Sequence, residues 1–280
     1  MSRAVYADYH VHTHLSPCGK PQATAAAMIA RAREKGLAAI GFADHVTPRP
    51  VPGCSFYEGQ RPHLLDDLRA EIRSVQRSPV IARSGSDKAI PDLGPNDPGL
   101  RVLVGVEADY SLAGPACLND YLRSLADHVV MAASHFHLPG APQPAEDTPR
   151  AKADLMLQVA AGALAVPGVD IWAHPFDCSR LRPLGPILET VTDEELAALI
   201  ALANEHSVAV EINGGPAQED AYRLAMARFY GLAREMGARF TVTADAHHPD
   251  DLDRVDLAVA WAREMGVTDT ELLTVDELTA

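Results

Sequence analysis

The sequence predicts an α/β protein, a single domain of parallel strands joined by helical crossovers into a barrel. Three observations lead there. Seven short β-rich runs alternate with Ala- and Leu-rich stretches of helical character, the pattern of repeated βα units. The 280 residues suffice for one large α/β barrel. His, Asp or Glu recurs at strand end after strand end, and in barrels of this class the active site lies at the C-terminal ends of the strands.

The first strand is placed at Val5 to His10, and the helix after it, Ala23 to Lys35, is closed by Gly36 behind a basic residue. A second strand, Ala38 to Ala43, precedes a helix from Arg61 to Arg77. The third, Arg101 to Glu107, leads to a helix over Ala116 to Leu125. The fourth, His128 to Ala133, is followed by Arg150 to Ala165, and the fifth, Val169 to Ala173, by Asp193 to Glu205. That last helix starts with a capping box, Thr192 with Glu195, ahead of the apolar Leu196, Leu199 and Ile200. Strands at Val208 to Ile212 and Phe240 to Thr243 with helices at Glu219 to Glu235 and Asp250 to Glu264 complete the pattern. Three Pro/Gly-rich segments interrupt it, Pro48 to Pro62, Ser84 to Gly99 and Leu138 to Pro149, and loops of that length are expected to be functional lids or disordered.

Composition narrows the class. Hydrophobic residues make up 47% and charged residues 22%, the balance of an ordinary globular enzyme. The segment from Met1 to Asp8 lacks the apolar core of a signal peptide and no run is long enough to cross a membrane, so a cytoplasmic protein is expected. Cys18, Cys54, Cys117 and Cys178 show no CxxC spacing and are expected as free thiols. A net charge of −14 without a Lys/Arg block argues against nucleic acid as a partner. Several of those acids would count differently as ligands, because each bound divalent cation adds two positive charges.

The residues at the strand ends carry the chemistry. His10 and His12 close the first strand, with His14 two residues on, and simple alternation projects the three imidazoles from one face. Asp44 and His45 follow the second strand, Glu107 and Asp109 end the third, His135 and His137 follow the fourth, His174 the fifth, and Asp245, His247 and His248 the seventh. Glu211-Ile212-Asn213 ends the sixth. Nine of the twelve histidines stand at or just past strand ends. Such a His/carboxylate set suits Zn, Mn or Fe and an open catalytic site rather than a closed Cys-rich structural one.

With these residues in view, the chain resembles the PHP (polymerase and histidinol phosphatase) domain family. Asp8-Tyr9-His10-Val11-His12-Thr13 is similar to its first motif and Ala43-Asp44-His45 to its second. Gly105-Val106-Glu107 with His135 is similar to the third, and Thr243-Ala244-Asp245-Ala246-His247 to the fourth. Within the family the chain most resembles the stand-alone histidinol-phosphate phosphatases, through Gly105-Val106-Glu107-Ala108-Asp109-Tyr110, Glu211-Ile212-Asn213 and the stretch from Lys35-Gly36-Leu37 to His45-Val46-Thr47-Pro48.

The resemblance implies a distorted (β/α)7 TIM-like barrel over residues 1–280, with two or three divalent metals at the C-terminal ends of the strands. It implies that His10 and His12 bind one metal, closed by Asp245, and that Glu107 bridges to a second completed by His135 and His174. His45 and His247 would hold a third. His135 is preferred to His137 because His135-Phe136 keeps the family's order. One departure stands out: where that branch carries Cys-Gly-His or Cys-Pro-His, this chain reads Cys18-Gly19-Lys20. Either Cys18 or His14 substitutes, or the third metal is weak or missing, or Lys20 supplies a fixed positive charge.

The implied reaction is phosphomonoester hydrolysis by an activated water, with Glu107, Asp245 and His247 as catalytic candidates and Asp245 or His247 able to protonate the leaving oxygen. Arg180, Arg182 and Lys20 are candidate phosphate partners. Asp109, with Tyr110, Phe56, Tyr57 and Glu58, is a candidate partner for a cationic leaving group. The expected partner is a small phosphorylated substrate, histidinol phosphate first and a nucleotide or other phosphoester second. A DNA exonuclease module is disfavoured by the acidity, and oligomeric state is left open.

Overall fold

The computed structural model describes residues 6–58, 63–77, 99–177 and 180–280. Cys178 and most of the Ser84 to Gly99 segment lie outside the described residues, as does the expected helix start at Arg61.

The seven expected strands are present as β1 (Ala7–Val11), β2 (Ala39–His45), β3 (Arg101–Asp109), β4 (Val129–Ala132), β5 (Ile171–Ala173), β6 (Ala209–Asn213) and β7 (Phe240–Thr243). They form one parallel sheet in chain order, β1 through β7. Such a sheet requires a crossover between each pair of neighbours. Those crossovers carry α1 (Ala25–Lys35), α2 (Ser55–Glu58), α3 (His63–Arg77), α4 (Tyr110–Ala113), α5 (Asp120–Leu125), α6 (Pro149–Leu164), α7 (Leu184–Leu188), α8 (Asp193–Glu205) and α9 (Asp220–Glu235); α10 (Arg254–Glu264) and α11 (Val275–Leu278) follow β7.

The expected punctuation holds. Gly36 caps α1 at φ 69 and Thr192 with Glu195 makes both halves of the capping box on α8. Two expected helices are broken. Ala116 to Leu125 is a 3-10 turn over Gly114–Cys117 followed by α5, because Pro115 starts the turn and the Asn119 side chain accepts from Leu122 N at 2.8 Å to begin a new helix. Asp250 to Glu264 opens as a 3-10 turn over Pro249–Asp253 before α10.

The sheet closes on itself at the C-terminal end. Val11 bridges Ala246, and His12 N donates to Ala246 O at 2.8 Å. At the opposite end β7 is bridged by Leu272 instead, and Leu273 N donates to Phe240 O. The gap there is filled by the C-terminal segment, leaving a cavity of about 400 Å³ lined by Tyr6, Tyr9, Thr241 and Leu272 among others. The barrel is therefore distorted, tight at the mouth and wedged at the base.

Alternation sorts the strands into two layers. Ile40, Phe42, Val104, Val106, Met131, Trp172 and Val210 pack outward against the helices. Ala39, Ala43, Leu103, Val130, Ala132, Ile171 and Ala173 fill the barrel. His128, just before β4, plugs the lower interior with its Nε2 2.8 Å from Tyr9 O. A Cβ on Gly41 or Gly105 would stand 2.7 or 2.4 Å from its ring. Both glycines thus make room for one imidazole. Above it the small Ala43, Ala132 and Ala173 leave space for what stands at the mouth.

A candidate metal centre at the mouth of the barrel

The ligand geometry begins with a bulge in β1. Asp8 pairs with Ile40 and Val11 with Phe42, so three steps along β1 oppose two along β2. Without the extra residue Tyr9 and Val11 would face inward and His10 and His12 outward. With it, Tyr9 and His10 both face the interior, Val11 joins the outer layer, and His12 turns in again. Asp8 holds the bulge, accepting from His10 N at 3.1 Å and Ala244 N at 3.0 Å.

Glu107, two inward steps above Leu103 on β3, is the hub. Its Oε2 lies 3.2 Å from His10 Nε2, 3.3 Å from His12 Nε2 and 3.1 Å from His45 Nε2. Its Oε1 lies 3.2 Å from His174 Nε2 and 3.7 Å from His135 Nε2. Asp245 Oδ1 stands 3.1 Å from His12 Nε2 and 3.7 Å from His10 Nε2. His247 stacks on His12 with ring centroids 4.4 Å apart. All eight residues expected as ligands therefore converge at the mouth. His174 reaches Glu107 although Ala173 already faces inward; its φ of 26 turns the side chain back. Asp245 also has positive φ, 50.

Outer partners fix the rings. Glu211 Oε1 accepts from His10 Nδ1 at 2.7 Å, Asp109 Oδ2 from His135 Nδ1 at 3.0 Å, and the Asp245 carbonyl from His247 Nδ1 at 2.9 Å. Each acceptor accepts a hydrogen bond from Nδ1–H and so keeps the proton on that nitrogen, which leaves the Nε2 lone pair on the other side of the ring. For His10 and His135 that side is the one occupied by Glu107. Lone pairs facing carboxylate oxygens at 3.2 to 3.7 Å repel unless a cation lies between them. Two donors on one tetrahedral ion with bonds near 2.0 Å stand about 3.3 Å apart. His10 Nε2 and both nitrogens of His12 are also buried without a hydrogen-bond partner. The donor set fits divalent metal ions.

Electrostatics agree with a cation-binding cluster. Burial pushes the Glu107 carboxyl up, but His45 and His10 outweigh it and hold it well below its usual range. Burial likewise opposes charge on His10, and Glu211, Asp245 and Glu107 overcome it. Positive charge is favoured here, as protons or as metal.

The structure redistributes several expected residues. Asp109 is fully buried and does not line the cavity at the mouth; it lies behind His135 and accepts from the Tyr57 hydroxyl at 3.3 Å. Its expected role as a partner for substrate is corrected to one of orienting His135. Tyr110 packs so closely on Gly162 of α6 that a Cβ there would stand 2.2 Å from its hydroxyl. Arg182 is tied to Asp177 at 3.0 Å and Glu219 at 2.8 Å. Arg180 and Lys20 are exposed, and none of these three cations lines the cavity. His14 stands away from the hub, its Nε2 3.8 Å from Glu71, whereas Cys18 lies against His12 and His45. His135 rather than His137 faces Glu107; His137 is exposed on the cavity wall. Ser134, 2.8 Å from His174 Nδ1, was not expected in the site, and Glu211, expected at the mouth as a strand-end residue, had no expected role there. The buried carboxylate on β6 was legible only as part of a motif.

The mouth holds a cavity of about 170 Å³ lined by the residues expected as ligands other than His10, together with Cys18, Phe56, His137 and Leu138. Comparison with solved structures places the whole barrel. The histidinol phosphate phosphatase of Lactococcus lactis, solved with zinc, L-histidinol and phosphate, superposes with a TM-score of 0.67 at 16% identity, covering 94% of each chain.

The chain has the fold of that phosphatase, a barrel of seven parallel strands.

The putative histidinol phosphatase of Listeria monocytogenes shares this barrel, with a TM-score of 0.64, 14% identity and coverage of 89% of this chain and 97% of that one. In sequence, a probable phosphatase of Vibrio vulnificus is 24% identical over 273 residues, 95% of this chain and 88% of that protein. No protein-family model matches the chain. Within the barrel the four motifs named above stand at the ends of β1, β2, β3 and β7. Among the described residues no helix is long and apolar enough to cross a membrane.

Proposed function

We propose that the chain is a metal-dependent phosphatase acting on a small phosphomonoester, with histidinol phosphate as its substrate. The observation that carries the reading is Glu107, one buried carboxylate facing five imidazole nitrogens within 3.7 Å. It stands on a barrel shared with a phosphatase solved with L-histidinol and phosphate.

Divalent ions at these donors would supply a water of lowered pKa and neutralise charge on the phosphoryl oxygens. The chain's own residues do the rest. Glu211 and Asp109 keep the Nδ1 protons of His10 and His135 in place, so the Nε2 lone pairs stay aimed at the hub. Asp245 and His247 line the cavity and are partly exposed, 24% and 27%. Burial pushes the Asp245 carboxyl up, but His10 and His12 hold it well below its usual range, so it serves as a carboxylate. His247 is the candidate within reach of a departing oxygen that needs a proton. Phe56 and Leu138 wall the cavity and keep bulk water from it. Lys20 and Arg180 act from outside the cavity, drawing an anion toward an otherwise acidic molecule, whereas Arg182 is neutralised by Asp177 and Glu219.

The small mouth and the net charge of −14 favour a metabolite over a nucleic acid. The test is phosphate release by EDTA-treated protein reloaded with Zn or Mn. Histidinol phosphate should be preferred over a generic phosphomonoester by at least about tenfold in kcat/KM. Turnover of a generic ester or a phosphodiester alone would remove the histidinol phosphate assignment and keep the chemistry. No metal-dependent hydrolysis of any ester would overturn the proposal.

A further inference from the structure

The loop between β1 and α1 folds back over the cluster and is held there by its own backbone. Ser16 N donates to Thr13 O at 3.1 Å, Gly19 N to Ser16 O at 3.0 Å, and Lys20 N to His247 O at 3.0 Å. Asp44 clamps the start, accepting from both Thr13 N and Thr13 Oγ1 at 2.6 Å. A side chain at position 19 is excluded, because a Cβ there would stand 1.8 Å from Thr13 O. The turn sets Cys18 facing inward on the cavity wall.

Cys18 Sγ, a nitrogen of His12 and a nitrogen of His45 all lie within 4.8 Å of one another. Ser16 Oγ is 3.1 Å from the sulfur. His12 is 99% buried by side chain, and neither of its ring nitrogens has a hydrogen-bond partner. Cys54, buried beside Tyr57 and Leu138, and Cys117, which donates to Met131 Sδ, belong to no such donor group among the described residues.

We propose that Cys18 is itself a metal ligand, its sulfur completing with His45 and His12 a mixed sulfur and nitrogen site on the outer side of Glu107. This rests on the metal-dependent reading above. Binding releases the thiol proton to solvent and leaves a thiolate on the metal. A soft sulfur donor biases this position toward Zn, Co or Cd over Mn, while the remaining His/carboxylate donors accept either kind.

The test is the full-length protein stripped with a chelator and reloaded with Co(II). Wild type should show a thiolate-to-cobalt charge-transfer band in the near ultraviolet alongside the visible d–d bands. Cys18→Ser should lose the ultraviolet band, keep d–d absorption from the remaining positions, and bind one ion fewer per chain at equal free cobalt. In wild type, where folding of a variant is not in question, alkylation of Cys18 read by peptide mass should be blocked by metal and restored by chelator. Visible d–d bands without a thiolate band, a band that survives in Cys18→Ser, or equal alkylation with and without metal would each overturn the ligand role and leave the metal centre standing. Protein that binds no cobalt at all would overturn both.

Discussion

Glu211 Oε1 lies 2.7 Å from His10 Nδ1, while the opposite nitrogen of the same ring faces Glu107 Oε2 at 3.2 Å. One imidazole is thus held between two buried carboxylates on β6 and β3. Only the second can share a metal with it; the first sets its tautomer. Glu211 also accepts from Thr243 Oγ1 at 2.8 Å and from His174 N, tying three strand ends together.

Glu211→Gln should therefore weaken metal binding without removing a ligand. An outer partner of this kind contributes about 10–100-fold in affinity or activity. Metal titration of the stripped variant checks it, and unchanged affinity would show that His10 is positioned by packing alone.

Removal of metal should lower thermal stability. Ligand held at a hundred times its dissociation constant stabilises a fold by about 2.7 kcal/mol, and here it also relieves carboxylates and imidazole lone pairs packed against one another. Unfolding scans before chelation, after it, and after Zn is returned should show a drop and a recovery. A Tm indifferent to metal content would contradict the cluster geometry.

His128 gives a pH dependence away from the metal. Burial holds its imidazole down at about 4 from a usual 6.5. The unfolded chain takes up this proton below about pH 6.5 and the folded chain only near pH 4, so the unfolded state binds more protons in between. Stability accordingly rises with pH across that window and is lost as pH falls through it, by about 3 kcal/mol for this group. Every other histidine is common to the two proteins, so the difference between wild type and His128→Gln in urea unfolding isolates the effect. The gap between them should narrow as pH falls from 6.5 to 4; a constant gap sinks the assignment.

Gly105→Ala and Gly231→Ala should differ in sign. The first puts a Cβ 2.4 Å from the His128 ring and 2.6 Å from its carbonyl oxygen, an overpacking that costs about 1–3 kcal/mol. The second adds a methyl in α9 where nothing lies within 4 Å, and replacing a helical glycine stabilises by up to about 1 kcal/mol. Parallel thermal melts separate the two.

Most of the fold was legible in the chain because parallel strands and crossover helices carry distinct periods. All seven strands appear where alternation and β-branched residues placed them, and the errors are at the ends. β2, β3 and β6 each run further than expected, to His45, Asp109 and Asn213, because a central strand continues as long as its neighbour offers hydrogen-bonding groups. The same tertiary logic hid the role of Asp109. In sequence it is an acid beside a metal ligand, and only the barrel shows that its inward position lies behind His135.

By itself the sequence determined the βα order, the helix caps at Gly36 and Thr192, and the identity of the residues at the mouth, since these depend on local period and on chemistry visible within a few residues. Tertiary structure decided which of those residues meet. Strict alternation would have turned His10 and His12 outward relative to Tyr9, and it would have aimed His174 away from Glu107. A one-residue bulge against β2 and a backbone φ of 26 correct both. It likewise set Cys18 rather than His14 against the cluster, through a turn anchored on Thr13 and on His247. Register and loop closure join residues more than 200 positions apart, and no local pattern encodes such a contact.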